Sequence, residues 1–351
     1  MSAKTRHLAA GSTVFLFCAL LWYPELVSAA VTGSMRFFVT RLVPVLFPYM
    51  VLSHFFVTYE VLEPICRCMG LRGDTGGVFL MGQLCGYPMG AKMTKEMVTG
   101  GRLEHGEAAV VCALSSGASP AFLLHGIGSG LWHSTRYGVF LLTTQWTLSL
   151  VTLWLWQKRF YQNESLSNKQ EDKKSMLTNA SFSHVFCNAI RDSTVQTLYV
   201  SGYIVFFSLV TAVLTAVLAH LPYGERLTLL AATVLEFATG TQAAAQVGGY
   251  VGLFCTGMAV GFGGLSVLAQ TAQLLEGTGI SLRPYILWKL LCGILLGLLS
   301  MAWGTMEPAL LRTHVAAPTM AESGSAVWLL GYIVLLGMVT AVGTKSLRRK
   351  K

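Results

Sequence analysis

Charged residues are scarce in this chain. They make up 12% of its 351 residues, while 53% are hydrophobic and the mean hydropathy is +0.57. Soluble domains are about 25% charged, so the composition excludes an ordinary soluble domain. Several apolar runs approach the ~20 residues that cross a bilayer. The sequence therefore predicts an all-α polytopic membrane protein whose partner is the lipid bilayer.

Motifs for enzyme chemistry, for ATP hydrolysis and for metal binding are also absent from the sequence. Cys66-Arg-Cys68 is too closely spaced for the usual zinc pair, and no His/Cys quartet has ligand spacing. Gly126-Ile-Gly-Ser-Gly130 lacks the lysine and the preceding strand of a phosphate loop. We therefore expect no enzymatic activity, no catalytic residue, no metal and no cofactor.

Eight apolar stretches are predicted to span the membrane. They lie near residues 9–31, 37–60, 108–127, 137–157, 197–219, 227–247, 285–305 and 326–344. The first resembles a signal peptide, with Val27-Ser-Ala29 as a cleavage site, but the later spans favour a retained helix and cleavage stays open. The net charge of +9 comes from lysines and arginines in the tails and one loop. The positive-inside rule explains this distribution, so nucleic acid is not an expected partner.

Two small-residue breaks inside apolar segments are alike. Gly86-Tyr-Pro-Met-Gly-Ala-Lys92 and Gly264-Leu-Ser-Val-Leu-Ala-Gln270 pair glycine with glycine and alanine with alanine at one fixed offset. Interrupted hydrophobic segments in corresponding halves point to the binding site of a transporter. More of the lysines and arginines lie on the cytoplasmic side if the segments 76–98 and 252–276 are re-entrant hairpins than if they are spans. The positive-inside rule therefore favours hairpins. We therefore predict two hairpins and two repeated halves.

The polar linker divides the chain. Residues 1–157 form the first membrane half, with its hairpin at 76–98, and residues 196–344 form the second, with its hairpin at 252–276. Residues 158–195 are predicted to be a cytoplasmic linker that ends in an amphipathic surface helix from Phe182. Residues 345–351 are a basic cytoplasmic tail.

Ionisable residues within apolar segments are costly and indicate functional sites. Lys92 follows the Gly86 break, so its ammonium could join the free N–H groups of a half-helix in holding an anion; the alternative is snorkelling to the surface with Lys95. Glu236 lies in the middle of a predicted span. It is a counter-ion for Lys92 or a carrier of a coupling proton, or else a carboxylate satisfied by nearby hydroxyls.

Hydroxyl and amide side chains complete the predicted site. Ser115, Ser116 and Ser119 precede Pro120, where an unwound helix would expose polar groups to substrate or ions, although such patterns also serve helix packing. Gln270 aligns with Lys92 and adds polarity without charge. The predicted substrate-binding residues are Gly86, Tyr87, Pro88, Lys92, Ser115, Ser116, Ser119, Glu236, Thr239, Gln242, Gly264, Ser266 and Gln270.

Several blocks in this order resemble the YlbJ-type sporulation integral membrane proteins. The specific ones are Gly82-Gln-Leu-Cys-Gly-Tyr-Pro-Met-Gly-Ala-Lys92 and Gly261-Phe-Gly-Gly-Leu-Ser-Val-Leu-Ala-Gln270, and the resemblance runs from about residue 20 to residue 300. The chain departs from the family pattern at Cys85, where a small residue such as Ser is expected. It departs again at Ser115-Ser116, where relatives tend to have Asn.

The resemblance implies a nucleoside-recognition (gate) domain, similar in plan to concentrative nucleoside transporters with two helical hairpins around the substrate. It also implies a secondary transporter that moves dipicolinic acid, a planar aromatic anion, from the mother cell into the forespore across the outer forespore membrane. The alternatives are a nucleoside or nucleobase transporter, and a scaffold or sensor for spore assembly that transports nothing. A coupling proton or sodium ion and a homo-oligomer stay open.

Overall fold

The computed structural model describes residues 3–59, 61, 63–71, 73–162 and 181–312. The predicted span at 326–344, the basic tail and most of the polar linker lie outside these residues. Every regular element in the described part of the chain is helical.

The α-helices follow one another with short connections. In chain order they are α1 (Ala3–Trp22), α2 (Pro24–Phe37), α3 (Val43–Thr58), α4 (Glu63–Cys68), α5 (Gly73–Cys85), α6 (Met89–Thr99), α7 (His105–Ser115), α8 (Thr135–Gln162), α9 (Phe182–Leu218), α10 (Gly224–Leu235), α11 (Phe237–Val247), α12 (Gly249–Phe262), α13 (Gly264–Leu274) and α14 (Arg283–Met306). Wider π-helical turns occupy Phe38–Leu42 and Phe122–Leu131, and a 3-10 helix occupies Pro308–Arg312.

Four described segments are long and apolar enough to cross a membrane. They are Thr135–Arg159, Phe182–Leu218, Gly249–Leu274 and Arg283–Met306. The pair Thr13–Trp22 and Pro24–Thr40 would make a fifth, although it is bent by 99°. The chain is therefore a multi-pass membrane protein, as predicted, while the count of eight spans stays a prediction.

Two predicted boundaries differ from the structure near the chain start and at the linker. The predicted span 9–31 is broken at Tyr23, because Pro24 begins a new helix at a sharp angle to α1 and a proline interrupts the hydrogen bonds of a preceding helix. The amphipathic surface helix and the span that follows it are one continuous helix of 37 residues, α9. No glycine or proline interrupts the helix between Phe182 and Ser201.

The first predicted hairpin is present as a helical fold-back. α5 and α6 reverse direction at Gly86-Tyr87-Pro88, where Gly86 has a φ of +81°. The two helices pack so closely that a Cβ built on Gly82 would lie 3.0 Å from the Cα of Gly90. Small residues are required at such an approach. The segment 76–98 therefore folds back on itself, and its re-entrance into the membrane stays a prediction.

The second predicted hairpin, at 252–276, needs correction. α12 and α13 continue through Gly263 as one apolar segment of 26 residues, Gly249–Leu274, without a sharp bend. The second fold-back lies earlier, between α10 and α11, where a Cβ built on Gly240 would meet the Cα of Thr233 at 2.7 Å. Its tip is Glu236, in the middle of the predicted span 227–247.

The cause of the second fold-back is a side-chain cap. Glu236 has extended backbone angles, φ −142° and ψ 124°, and its carboxylate accepts the N–H of Thr239 at 2.7 Å. A side-chain acceptor at this position satisfies a free donor at the start of α11, so the chain can restart a helix there without glycine or proline. Gly263 interrupts a helix but does not reverse it, since Gly249–Leu274 forms one candidate span without a sharp bend.

Two stretches of the described chain have a similar order of helices, while the predicted repeat of residues 86–92 and 264–270 stays a prediction. A helical hairpin (α5–α6, then α10–α11) is followed by a broken helix and by a long apolar helix (α8, then α14). The first broken helix is α7, which unwinds at residues 116–119 before the chain continues into Phe122–Leu131; the second is α12–α13. The predicted span 108–127 contains the first of these breaks. A separate layer of α2, α3 and α9 packs beside these elements.

Candidate functional site

Four interruptions of the helical backbone meet at one place. The Gly86 tip contacts the unwound residues 116–119, since a Cβ built on Gly86 would lie 2.8 Å from the backbone N of Ser119. The Glu236 tip contacts the break in the last broken helix, since a Cβ built on Gly264 would lie 3.3 Å from the Cα of Glu236. Tyr87, at the first tip, also contacts the break at Gly263, since a Cβ built on Gly263 would lie 3.1 Å from its ring. It therefore connects the first tip and residues 116–119 with the second tip and the Gly263 break.

A cleft of about 490 Å³, a volume that includes space open to the surroundings, lies between these breaks and the side layer. Its lining residues are Leu42, Leu46, Gly86, Tyr87, Ala118, Ser119, Phe122, Val200, Ile204, Glu236, Phe237, Ala238, Ser266, Val267 and Gln270. Phe122 and Phe237 pack with ring centroids 4.7 Å apart, and Tyr87 meets Phe237 edge-on at 5.9 Å. The cleft therefore combines an aromatic wall with few polar groups, as small-molecule sites commonly do.

Glu236 is the charged residue of the cleft lining. It is 3% exposed, and its backbone N–H partner at Thr239 belongs to its own hairpin. None of the ion pairs among the described residues includes it. The predicted pairing with Lys92 is not formed, and no cationic side chain among the described residues pairs with the Glu236 carboxylate.

Lys92 does not line the cleft. Its ammonium nitrogen lies 2.9 Å from His54 Nε2, on α3, and 3.9 Å from a carboxylate oxygen of Glu96, one turn further along α6. The side chain is 13% exposed. Lys92 therefore belongs to a small polar cluster between α6 and the side layer, and the anion contact expected of it has no support in the geometry of the cleft.

A second lysine, Lys289, is not among the predicted site residues. It is on α14, is 2% exposed, and donates hydrogen bonds to Tyr87 Oη at 2.6 Å and to the carbonyl oxygen of Ser116 at 3.0 Å. Its ammonium also lies 4.7 Å from the centroid of the Tyr87 ring. The signal that could have found it is a lysine inside the long apolar segment Arg283–Met306, since such residues are functional candidates by default.

Two glutamines, also missed, hold the unwound residues 116–119. Gln83 donates to the carbonyl oxygen of Leu114 at 2.9 Å, and Gln145 donates to Gln83 Oε1 at 3.1 Å. Gln145 also bonds both the N–H and the C=O of Ala118, each at 3.1 Å. Non-helical backbone at membrane depth needs such partners. These amides therefore keep the break in a fixed shape beside the cleft.

The predicted serines divide between two roles. The hydroxyls of Ser115 and Ser116 bond back to the carbonyl oxygen of Cys112, at 3.3 Å and 2.8 Å, and these residues do not line the cleft. Ser119 does line it, and so do Ser266 and Gln270, which are joined by a hydrogen bond of 3.3 Å. Of the predicted residues, those in the lining are Gly86, Tyr87, Ser119, Glu236, Ser266 and Gln270; those outside it are Pro88, Lys92, Ser115, Ser116, Thr239, Gln242 and Gly264.

Comparison with known proteins agrees with a multi-pass integral membrane protein. The chain is similar to the sporulation integral membrane protein YlbJ of Bacillus subtilis (strain 168), with 23% identity over 329 residues that cover 82% of this chain and 80% of that protein. This similarity confirms the resemblance to YlbJ-type proteins. No family model matches the chain, and no solved structure matches it.

Proposed function

We propose that the protein is a secondary transporter that carries a small planar heteroaromatic solute through the cleft between its two hairpin tips. The observation that carries the proposal is the convergence of four backbone breaks on an aromatic-lined cleft with one buried carboxylate. Broken helices and their free backbone groups are the means by which many transporters bind solutes and coupling ions. A purely structural membrane protein has no need to keep polar backbone and a carboxylate together at such a place.

Dipicolinate is the substrate that we propose first. Its flat ring suits the wall formed by Phe122, Phe237 and Tyr87, and its carboxylates suit the hydroxyl and amide groups of Ser119, Ser266 and Gln270. The similarity to a sporulation membrane protein supports a role in sporulation. In this role the protein would move dipicolinate from the mother cell into the forespore across the outer forespore membrane.

A dianionic substrate requires compensation for Glu236. Like charges in a low-dielectric site repel strongly, and the lining residues that the structure describes include no lysine or arginine. We therefore propose that a proton, or a sodium ion, binds at the Glu236 carboxylate when the substrate binds. Co-transport would then follow from the shared cleft, because each ligand makes the site more favourable for the other.

A nucleoside or nucleobase transporter is the second candidate. No lysine or arginine is among the described residues of the lining, which favours this candidate because a neutral heterocycle would meet no uncompensated repulsion. Glu236 could accept hydrogen bonds from its N–H or ribose O–H groups.

The two candidates are separated by uptake into proteoliposomes that contain the purified protein. Radiolabelled dipicolinate and uridine would each be offered with an imposed proton gradient, with an imposed sodium gradient and with neither. We expect gradient-driven dipicolinate uptake that excess unlabelled uridine does not inhibit. Uridine uptake that dipicolinate does not inhibit would support the second candidate. Accumulation of neither solute above empty liposomes would contradict transport of this class and would favour a scaffold or sensor.

A further inference from the structure

We infer that Lys289, acting through Tyr87, supplies the positive charge by which the cleft selects an anionic solute. The inference deepens the proposed function and rests on it. It transfers to Lys289 the role that the sequence pattern had given to Lys92, and it makes Lys289 a positioning residue, since its side chain is not part of the cleft lining.

The ammonium group of Lys289 lies next to Tyr87. Tyr87 is a lining residue of the cleft, and the Lys289 ammonium lies 2.6 Å from its hydroxyl oxygen and 4.7 Å from its ring centroid. The Tyr87 hydroxyl accepts from Lys289 and donates its own proton to the carbonyl oxygen of Val260 at 3.1 Å. One aromatic ring therefore separates the charge from the solute.

The Lys289 ammonium has no carboxylate partner among the described residues. None of the ion pairs that these residues form includes Lys289. Its hydrogen-bond acceptors are the hydroxyl of Tyr87 and the carbonyl oxygen of Ser116. An ammonium in protein interior without a carboxylate partner is costly. A bound anion on the other side of the Tyr87 ring would lower that cost.

The Lys289 ammonium acts on a bound solute from a distance and not through a hydrogen bond. Because the Tyr87 hydroxyl proton is already donated to Val260, Tyr87 has no O–H left to give to a solute. Lys289 therefore acts on the solute by its field across the ring, which is weakly screened in a buried site. Selection of this kind depends on the charge of the solute and hardly at all on its shape. The expected signature is a loss of preference for anions with little loss of affinity for a neutral solute of the same outline.

A purely structural role predicts a different signature. The ammonium also satisfies the Ser116 carbonyl at the carboxyl-terminal end of α7, where the helix dipole favours a cation. If this were its whole purpose, removal of the charge would disturb the cleft for every solute alike. The comparison of a charged with a neutral solute separates the two roles.

The experiment measures equilibrium binding of dipicolinate and of its neutral diamide, pyridine-2,6-dicarboxamide, to the purified full-length protein. The test variant is Lys289→Gln, whose amide can still donate to Tyr87 and Ser116, and the matched control is Lys92→Gln in the first hairpin. We expect Lys289→Gln to weaken dipicolinate binding by about tenfold, which corresponds to about 1.4 kcal/mol, and to leave diamide binding nearly unchanged. Lys92→Gln should change neither.

Equal losses for both solutes in Lys289→Gln, or no loss for either, would overturn the inference. A second measurement needs no substitution: the wild-type protein must bind dipicolinate more tightly than the diamide, and the opposite order would also overturn it. These failures leave transport of a neutral heterocycle intact. Wild-type protein that binds dipicolinate and fails to transport it would instead contradict the proposed function while the charge selection stands.

Discussion

The two hairpin tips reverse the chain by different means. At the first, Gly86 adopts a φ of +81° and Pro88 precedes the first residue of α6, so the turn depends on backbone freedom. At the second, Glu236 adopts extended angles that any residue can adopt, and its carboxylate caps α11. A charged side chain can therefore do at one tip what glycine does at the other. The second tip, unlike the first, brings a charge into the cleft itself.

The charges of the two tips are also arranged differently. At the first tip the Lys289 ammonium lies beside Tyr87, outside the cleft lining. At the second tip the Glu236 carboxylate is part of the cleft wall. The positions of helix breaks alone therefore do not say which tip handles charge.

Removal of the carboxylate at the second tip should have the largest effect. Glu236→Ala deletes both the cap and the charge, so we expect dipicolinate uptake in proteoliposomes to fall to the level of empty liposomes. Loss of a helix cap by itself costs about 1 kcal/mol of stability, which thermal unfolding would detect.

The matched variant Glu236→Gln keeps an oxygen that can accept the N–H of Thr239. It should therefore unfold near the wild-type temperature and lose gradient-driven accumulation of dipicolinate, because its neutral amide takes up no proton and has no negative charge to hold a sodium ion. Normal uptake by either variant would contradict the assignment of Glu236.

A side chain at the first tip should have the next largest effect. Gly86→Ala places a Cβ 2.8 Å from the backbone N of Ser119 and forces an L-residue to a φ of +81°. The left-handed conformation costs roughly 1–2 kcal/mol, and the clash adds to it, so we expect uptake to fall by about tenfold or more. Gly77→Ala in the same helix is the control, since a Cβ there meets nothing within 4 Å. Equal uptake by Gly86→Ala and Gly77→Ala would contradict the prediction, because transport would then not depend on the close contact between the first tip and Ser119.

Loss of the Tyr87 hydroxyl should have a smaller effect. Tyr87→Phe keeps the aromatic wall and leaves the Val260 carbonyl and one proton of the Lys289 ammonium without a partner. A buried polar group left unpaired costs about 1–3 kcal/mol, so the unfolding temperature should fall while solute binding weakens less than in Glu236→Ala. An unchanged unfolding temperature would contradict the hydrogen-bonded link between the first tip and α14.

Substitution of Lys92 should have the smallest effect. Because its ammonium contacts His54 and Glu96 outside the cleft, Lys92→Ala should lower dipicolinate uptake by no more than about twofold, in keeping with the small energies of partly exposed ion pairs. Lys95→Ala, on the same helix, should behave alike. A loss of uptake in Lys92→Ala as large as that in Glu236→Ala would restore the anion contact expected from sequence.

Sequence patterns found the first tip and missed the second for a physical reason. Gly86-Tyr87-Pro88 carries the residues that are unfavourable in a continuous helix, so the break is visible locally. Glu236 is a good helix former that stands in an apolar run, and nothing local distinguishes a carboxylate at a cap from one on a helix face. The two adjacent glycines at Gly263–Gly264 predict the second hairpin from sequence, although in the structure they only interrupt a helix.

The residues of the candidate site were also only partly recognisable from local sequence patterns. Six of the predicted residues line the cleft, because breaks, hydroxyls and a carboxylate in apolar segments are recognisable one at a time. Lys289 was not predicted as a site residue, because its importance lies in contacts with Tyr87 and Ser116, 202 and 173 residues away in the chain. Gln83 and Gln145 were not predicted for the same reason.

Composition and local backbone preference are sufficient to predict three properties of this protein. It crosses a membrane several times as helices, one helix folds back at Gly86, and Glu236 is a costly and therefore informative residue. The tertiary structure alone decided that the second reversal lies at Glu236, that four breaks meet at one cleft, and that Lys289 rather than Lys92 stands behind it. Those properties depend on which distant segments pack together, because a buried charge or a free backbone group is satisfied by whatever group the fold brings within hydrogen-bonding distance.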